Sequence, residues 1–80
     1  MMIQAEISLY PLGETRLSTR INAFVARLQQ SGLTVEVGRM STLISGESAA
    51  FFTALQDAFE SDAARGGTVM TVKVSNACPL

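Results

Sequence analysis

The segment LTVEVGRMSTLIS, residues 33–45, carries two short strand patterns around a turn signal. Apolar and polar side chains alternate over residues 33–37, which is the period-two pattern of a half-buried strand. Gly38-Arg39 then predicts a turn into a second strand at residues 40–45, which we expect Gly46 to end. The segment therefore predicts a β-hairpin, and the patterns on either side of it decide the fold.

A helical pattern lies on each side of the hairpin. Residues 15–30 form the first, with Thr15 or Ser18 as its candidate N-cap; Ser48 is the candidate N-cap of the second, which ends at residues 65–67. Each pattern places its apolar residues on one stripe, as in a helix that packs against a core. The two stripes consist of Leu17, Ile21, Phe24, Val25 and Leu28, and of Phe51, Phe52, Leu55, Ala58 and Phe59.

A strand pattern near each end of the sequence completes the order of elements. Residues 3–10 alternate between apolar and polar side chains until Pro11 and Gly13, and residues 68–74 are rich in β-branched types. The order βαββαβ predicts an α+β, ferredoxin-like sandwich, formed by one domain over residues 1–80. Right-handed crossovers then predict an antiparallel sheet with strand order 4-1-3-2 and both helices on one face.

The face of the sheet opposite the helices needs a partner. Alternation predicts that its side chains include Gln4, Glu6, Ser8, Tyr10, Leu43 and Lys73. Hydrophobic residues make up 48% of the chain and charged residues 16%, which is more apolar than an ordinary soluble monomer requires. We therefore expect a homo-oligomer in which two such faces meet.

Charge and composition argue against several classes of protein. The net charge of -1 provides no basic field, so nucleic acid is not an expected partner. The chain has no histidine and one cysteine, Cys78, which argues against a zinc site, an intrachain disulfide and a histidine-based catalyst. No apolar run approaches the roughly 18–20 residues that span a bilayer, and no secretion signal opens the sequence. These features favour the cytoplasm.

The topology brings distant segments to one end of the domain. The end of the first strand lies beside the start of the third, near the start of the first helix and the end of the second. Hydroxyl groups and a carboxylate on this rim suit a small polar heterocycle, because they offer both donors and acceptors. The alternative is that the hydroxyls are merely solvated strand residues. The rim would collect Tyr10, Ser18, Ser41, Thr42, Phe59 and Asp62.

Two further groups of charged residues have alternative interpretations. Arg16, Arg20 and Arg27 fall on one face of the first helix, where they can hold phosphate or simply face solvent. Glu6 and Glu36 can be drawn as the acid and base of an enzyme. Since neither carboxylate stands near a glycine-rich or metal-binding motif, solvated or interface carboxylates are the favoured interpretation.

Three stretches carry a family resemblance: SLYPLGE at residues 8–14, RMSTLISGE at residues 39–47 and VMTVKVSNACP at residues 69–79. In them the chain resembles the YkoF-type hydroxymethylpyrimidine/thiamine-binding family, and the correspondence runs over essentially the whole sequence. The resemblance implies a ferredoxin-like domain that pairs sheet to sheet and binds thiamine or its aminopyrimidine half without catalysis or a cofactor.

The resemblance also implies partners. A relative in the family looks like two such domains joined in one chain, so a homodimer or a dimer of dimers would replace the missing half here. That relative is associated with a membrane importer for the pyrimidine precursor. A cytoplasmic carrier or sensor linked to precursor uptake or salvage is therefore the expected role.

Five residues are predicted to bind the ligand. A 4-aminopyrimidine offers ring-nitrogen acceptors beside an amino donor, which Ser41 and Thr42 can match. Tyr10 is expected to form a wall of the site, and Asp62 to meet the amino group or the thiazolium cation. Asn76 follows the last strand at the opposite rim, so it can contribute only through a bent tail or from another subunit.

Two other functions compete with this one. The first is a regulatory module of the same shape that binds an amino acid, another small metabolite or a partner protein. The second is an enzyme that uses Glu6 as a base.

Overall fold

Two helices and four strands follow one another in the order βαββαβ in the computed structural model, which describes residues 1–13 and 17–77. The sheet order is β2-β3-β1-β4 and every pairing is antiparallel, so the predicted ferredoxin-like fold and its strand order are confirmed. No helix in those residues is long and apolar enough to cross a membrane. The elements are β1 (Met2–Pro11), α1 (Leu17–Gln29), β2 (Thr34–Val37), β3 (Thr42–Glu47), α2 (Ser48–Ala63) and β4 (Thr68–Ser75).

The central strand β1 separates the two faces of the sheet. Ile3, Ala5 and Ile7 are buried on the helix side, where Phe24, Leu28 and Phe51 pack in the same core. The pairing of Glu6 with both Leu43 and Lys73 places these three side chains on the other face. The register thus confirms the predicted members of this face, which we call the open face: Gln4, Glu6, Ser8, Tyr10, Leu43 and Lys73.

The boundaries around β3 differ from the prediction. Gly46 does not end the strand but pairs with Ile3 inside it. A Cβ at Gly46 would lie 2.5 Å from Cδ2 of Leu33, so close packing explains the glycine. The helix α2 begins at Ser48 itself and its N-cap is Glu47, so the prediction of Ser48 as the cap is wrong by one residue.

The apolar stripes of the helices are only partly buried. Leu17 and Phe52 remain 43% and 54% exposed, against expectation. Ser18 lies inside α1, so it cannot be its N-cap, while Thr15, Arg16 and Cys78 lie outside the described residues. Each helix instead buries one charged residue, Arg20 in α1 and Asp62 in α2, and the sequence pattern predicted burial for neither residue.

Arg20 of α1 and Asp62 of α2 form a buried ion pair. The Arg20 Nε and Nη2 atoms lie 2.9 and 2.8 Å from the two carboxylate oxygens of Asp62, and each side chain is 3% exposed. The Arg20 guanidinium also donates to the carbonyl oxygens of Leu12 and Gly67, both at 3.3 Å. The Arg20 side chain therefore connects α1 to α2, to the segment that follows β1 and to the segment that precedes β4.

This pair makes stability depend on pH. The hydrogen bonds from Arg20 hold the pKa of the Asp62 carboxyl below its usual range, although burial opposes them. A carboxyl whose pKa is lower in the folded state stabilises the fold above its unfolded pKa of about 3.9. That contribution is lost as the pH falls through the lower, folded value.

We expect Asp62→Asn to lower the free energy of unfolding by about 3–5 kcal/mol at pH 7, because it leaves the Arg20 charge buried without its partner. Urea denaturation measures the loss. The difference from the unaltered chain should begin to shrink below about pH 4, where Asp62 becomes protonated in the unfolded state, and should vanish as the pH falls through its lower pKa in the folded state.

The exposed pair between Arg27 and Asp57, with atoms at 2.8 Å, supplies the control. Asp57→Asn should change the urea midpoint far less, since solvent screens this pair. The double change Arg20→Met with Asp62→Leu should restore much of the loss. Equal effects of Asp62→Asn and Asp57→Asn would contradict the role given to the buried pair.

Candidate functional site

A cleft of about 150 Å³ lies where β1, the β2–β3 turn and α1 meet. Its apolar lining includes the buried side chains of Ile7, Phe24 and Val25. Four residues that carry a hydroxyl group, Ser8, Tyr10, Ser41 and Thr42, also line it. The cleft therefore combines an apolar lining with several polar groups, as small-molecule sites do.

The β2–β3 turn positions the hydroxyls of residues 41 and 42. The Gly38 amide donates to the Ser41 carbonyl oxygen at 2.9 Å and closes the turn. A Cβ at Gly38 would stand 2.9 Å from that same oxygen, so the turn needs a residue without a side chain. β3 starts at Thr42 rather than at Met40, which leaves Ser41 in the turn and not in the strand.

Thr42 and Ser41 present their hydroxyls differently. Thr42 pairs with Ile7 and is 9% exposed, so it lies on the helix side of the sheet within the cleft. The Ser41 hydroxyl donates to Oε2 of Glu6 at 2.9 Å. Because its proton is committed to Glu6, the Ser41 oxygen is left to accept, whereas Thr42 can donate.

Tyr10 borders both the cleft and the open face. It pairs with Val69, is 53% exposed and lines the cleft. The alternation along β1 turns it away from the helix layer, as the sequence pattern predicts. One aromatic ring thus stands between the candidate ligand and any subunit that covers the open face.

The other predicted site residues lie elsewhere. Asp62 is 4% exposed and paired with Arg20, so the structure does not bring its carboxylate to the cleft. Asn76 follows β4 at the far end of the sheet, where its amide nitrogen lies 3.9 Å from the sulfur of Met1. Ser18 and Phe59 do not line the cleft. Binding roles for Asp62 and Asn76 stay predictions.

Sequence reasoning missed one charged residue of the cleft. Arg39 lines it from the turn, beside the hydroxyls. The sequence pattern identified Arg39 as a turn residue, and its immediate proximity to Ser41 was the available signal. Ile21, Phe24 and Val25 were predicted as core residues, and they also form a wall of the cleft.

A larger but shallower hollow lies between the two helices. It measures about 600 Å³ and is lined by small side chains such as Ala49, Ala50 and Thr53. Its charged residues, Arg27 and Asp57, already neutralise each other. We favour the smaller cleft as the ligand site because its polar groups surround a buried apolar lining.

Comparison with known proteins identifies the family. A family model described as "Thiamine-binding protein" matches residues 5–76. The chain belongs to the thiamine-binding protein family. The resemblance found in the sequence is thereby confirmed, and the family supports a role related to thiamine. No curated protein matches the chain.

Solved structures share the fold of this thiamine-binding family member. A hypothetical protein from Methanocaldococcus jannascii is 22% identical, with a TM-score of 0.88. The match covers 96% of this chain and 81% of that protein's chain. A protein from Streptococcus pneumoniae is 22% identical with a TM-score of 0.86, covering 94% of this chain and 86% of its own. A protein from Thermotoga maritima is 18% identical, with a TM-score of 0.84, and is provisionally described as a thiamine biosynthesis or salvage protein. The match covers 94% of this chain and 83% of that protein's chain.

Gly38→Ala tests the turn that positions the hydroxyls. The added methyl group must push away the Ser41 carbonyl, so we expect a loss of about 1–3 kcal/mol in the free energy of unfolding, as in other overpacked sites. Urea denaturation measures this loss, and the amide resonances of Ser41 and Thr42 should move.

Gly67→Ala is the matched control, because a Cβ at Gly67 would meet Leu12 side-chain atoms at 3.7 Å or more. It should leave stability equal or slightly higher, since the unfolded chain loses freedom. If both variants behaved alike, the close approach at Gly38 would not constrain the turn.

Proposed function

We propose that this protein binds thiamine or its hydroxymethylpyrimidine moiety without catalysis, with the pyrimidine ring in the cleft between β1, the β2–β3 turn and α1. The observation that carries the proposal is a ring-sized cleft with hydroxyls beside its apolar lining, in a chain of the thiamine-binding protein family. Under this proposal the protein acts as a carrier or sensor in the cytoplasm. A link to a membrane importer is part of the same hypothesis.

The size of the cleft supports a single ring. An apolar cavity of about 150 Å³ in another protein holds one benzene ring, and a pyrimidine ring is of similar size. The cleft of this protein has a similar volume, about 150 Å³. A thiazolium ring attached to the pyrimidine would therefore lie outside the cleft, against the rim or against a second subunit.

The hydroxyls complement an aminopyrimidine. The Ser41 oxygen can accept from the exocyclic amino group, because its own proton goes to Glu6. Thr42 can donate to the adjacent ring nitrogen, while Phe24 and Tyr10 offer aromatic surface to the ring. Under this proposal, Thr42 on the helix side of the sheet and Ser41 next to the open face would each meet one member of the donor and acceptor pair.

We also propose that two open faces meet in a homodimer, which can pair again into a tetramer. Tyr10, Leu43 and Val69 on this face are 53%, 44% and 48% exposed. Burial of such side chains between two copies would remove apolar surface from water. Since Tyr10 also lines the cleft, the interface would lie beside the ligand.

Calorimetric titration tests the ligand. We expect thiamine and hydroxymethylpyrimidine to release heat on binding, and Thr42→Val to weaken binding by about threefold to tenfold through the loss of one hydrogen bond. Valine keeps nearly the shape of threonine, so the apolar lining of the cleft stays in place.

Thr53→Val is the control, because Thr53 is exposed on α2 and lines the other hollow. The Thr53→Val protein should bind thiamine and hydroxymethylpyrimidine with the affinity of the unaltered chain. No binding of either ligand at millimolar concentration would refute the proposed function, and equal affinities of all three proteins would refute the role of Thr42.

Leu43→Lys tests the oligomer. Leu43 lies opposite Glu6 and Glu36, so a lysine there would find favourable charges in the monomer but would be buried between two faces. We expect a smaller particle by analytical ultracentrifugation.

Phe52→Lys removes an apolar side chain of 54% exposure from α2 and should leave the particle size unchanged. A Leu43→Lys protein that sediments like the unaltered chain would show that the open face is not the interface.

A further inference from the structure

Arg39 differs from Arg20 and Arg27, which each contact a carboxylate. Arg20 is paired with Asp62 and Arg27 with Asp57. Among residues 1–13 and 17–77, Arg39 forms no ion pair, and it is exposed in the β2–β3 turn. Its guanidinium, with five donors, is therefore available to an anion from outside the chain.

Among the described residues, one charged side chain lines the cleft. Arg39 contributes a cation to its lining, and the described lining contains no aspartate or glutamate. The carboxylate nearest to the hydroxyls is Glu6, which accepts from Ser41 at 2.9 Å and lies 4.0 Å from Lys73 on the open face. A cationic ligand would thus meet Arg39 at the lining, with the Glu6 carboxylate behind the Ser41 hydroxyl on the open face, whereas an anionic group would be attracted to Arg39.

Size and charge together select one form of the ligand. A single ring fills about 150 Å³, so a substituent on that ring must project to the mouth of the cleft. Arg39 and Tyr10 are exposed residues of the lining, and the side chains of both can donate hydrogen bonds. A phosphate monoester is the substituent that an arginine fork matches best, since its oxygens accept two parallel hydrogen bonds.

We propose that Arg39 makes the cleft selective for the phosphate monoester of hydroxymethylpyrimidine over the free alcohol and over the thiamine cation. The pyrimidine ring occupies the apolar part of the cleft, and the phosphate group lies at its mouth against the Arg39 guanidinium. Arg39 is a specificity-determining residue that binds the ligand and takes part in no reaction. The inference rests on the proposed function, because it assumes that the ring binds in this cleft.

Calorimetry with three ligands tests the proposal: hydroxymethylpyrimidine, its phosphate monoester and thiamine. We expect the unaltered protein to bind the phosphate ester about tenfold more tightly than the free alcohol, as a charge-assisted hydrogen-bonded pair does. In Arg39→Gln that ratio should fall to near one, while affinity for the free alcohol stays the same. Added salt should weaken binding of the ester far more than binding of the alcohol.

Arg27→Gln is the matched control. It also removes an exposed arginine, but Arg27 lines the other hollow and not the cleft. It should keep the full preference for the ester. An equal affinity for ester and alcohol in the unaltered protein, or a preference that survives in Arg39→Gln, would overturn the inference while leaving the proposed function intact. Binding of inorganic phosphate as tight as that of the ester would also overturn it, and binding of none of the three ligands would refute the proposed function too.

Discussion

The buried pair between Arg20 and Asp62 holds one end of this domain together. Two charges that are each 3% exposed cost free energy to remove from water, and only good geometry compensates for that cost. The geometry is good, because two hydrogen bonds of 2.9 and 2.8 Å join the guanidinium to the carboxylate. The same guanidinium reaches the carbonyl oxygens of Leu12 and Gly67, so the helix layer is joined to the segment that follows β1 and to the segment that precedes β4.

This constraint places the helix layer next to the cleft. α1 contributes Phe24 and Val25 to the cleft from positions one turn and more beyond Arg20, so the pair that positions α1 also positions that wall. The opposite side depends on a different contact, the hydrogen bond that closes the turn between Gly38 and Ser41. The candidate site is therefore built by two separate constraints, of which one is ionic and buried and the other is a tight turn.

The sequence predicted the part of the candidate site that depends on topology. Strand order alone brings the end of β1 beside the start of β3, and the structure places Tyr10, Ser41 and Thr42 in one cleft. It could not predict the fate of Asp62, because a carboxylate on a helix has the same pattern whether it faces a ligand or an arginine. Arg39 was missed for the opposite reason: a turn residue shows no periodicity, so nothing in the pattern indicates which way its side chain points.

The spacing of apolar and polar residues by itself determined the element order and the faces of the sheet, since these follow from periods of two and 3.6 residues. The handedness of crossovers then predicts the ferredoxin-like topology from that order. The tertiary structure alone decided that Gly46 continues β3 under Leu33, that Arg20 and Asp62 neutralise each other inside the domain, and that the cleft carries the charge of Arg39. The physical reason is distance. Periodicity acts between neighbours along the chain, whereas ion pairs and close packing join residues that lie far apart in sequence, 42 positions for Arg20 and Asp62.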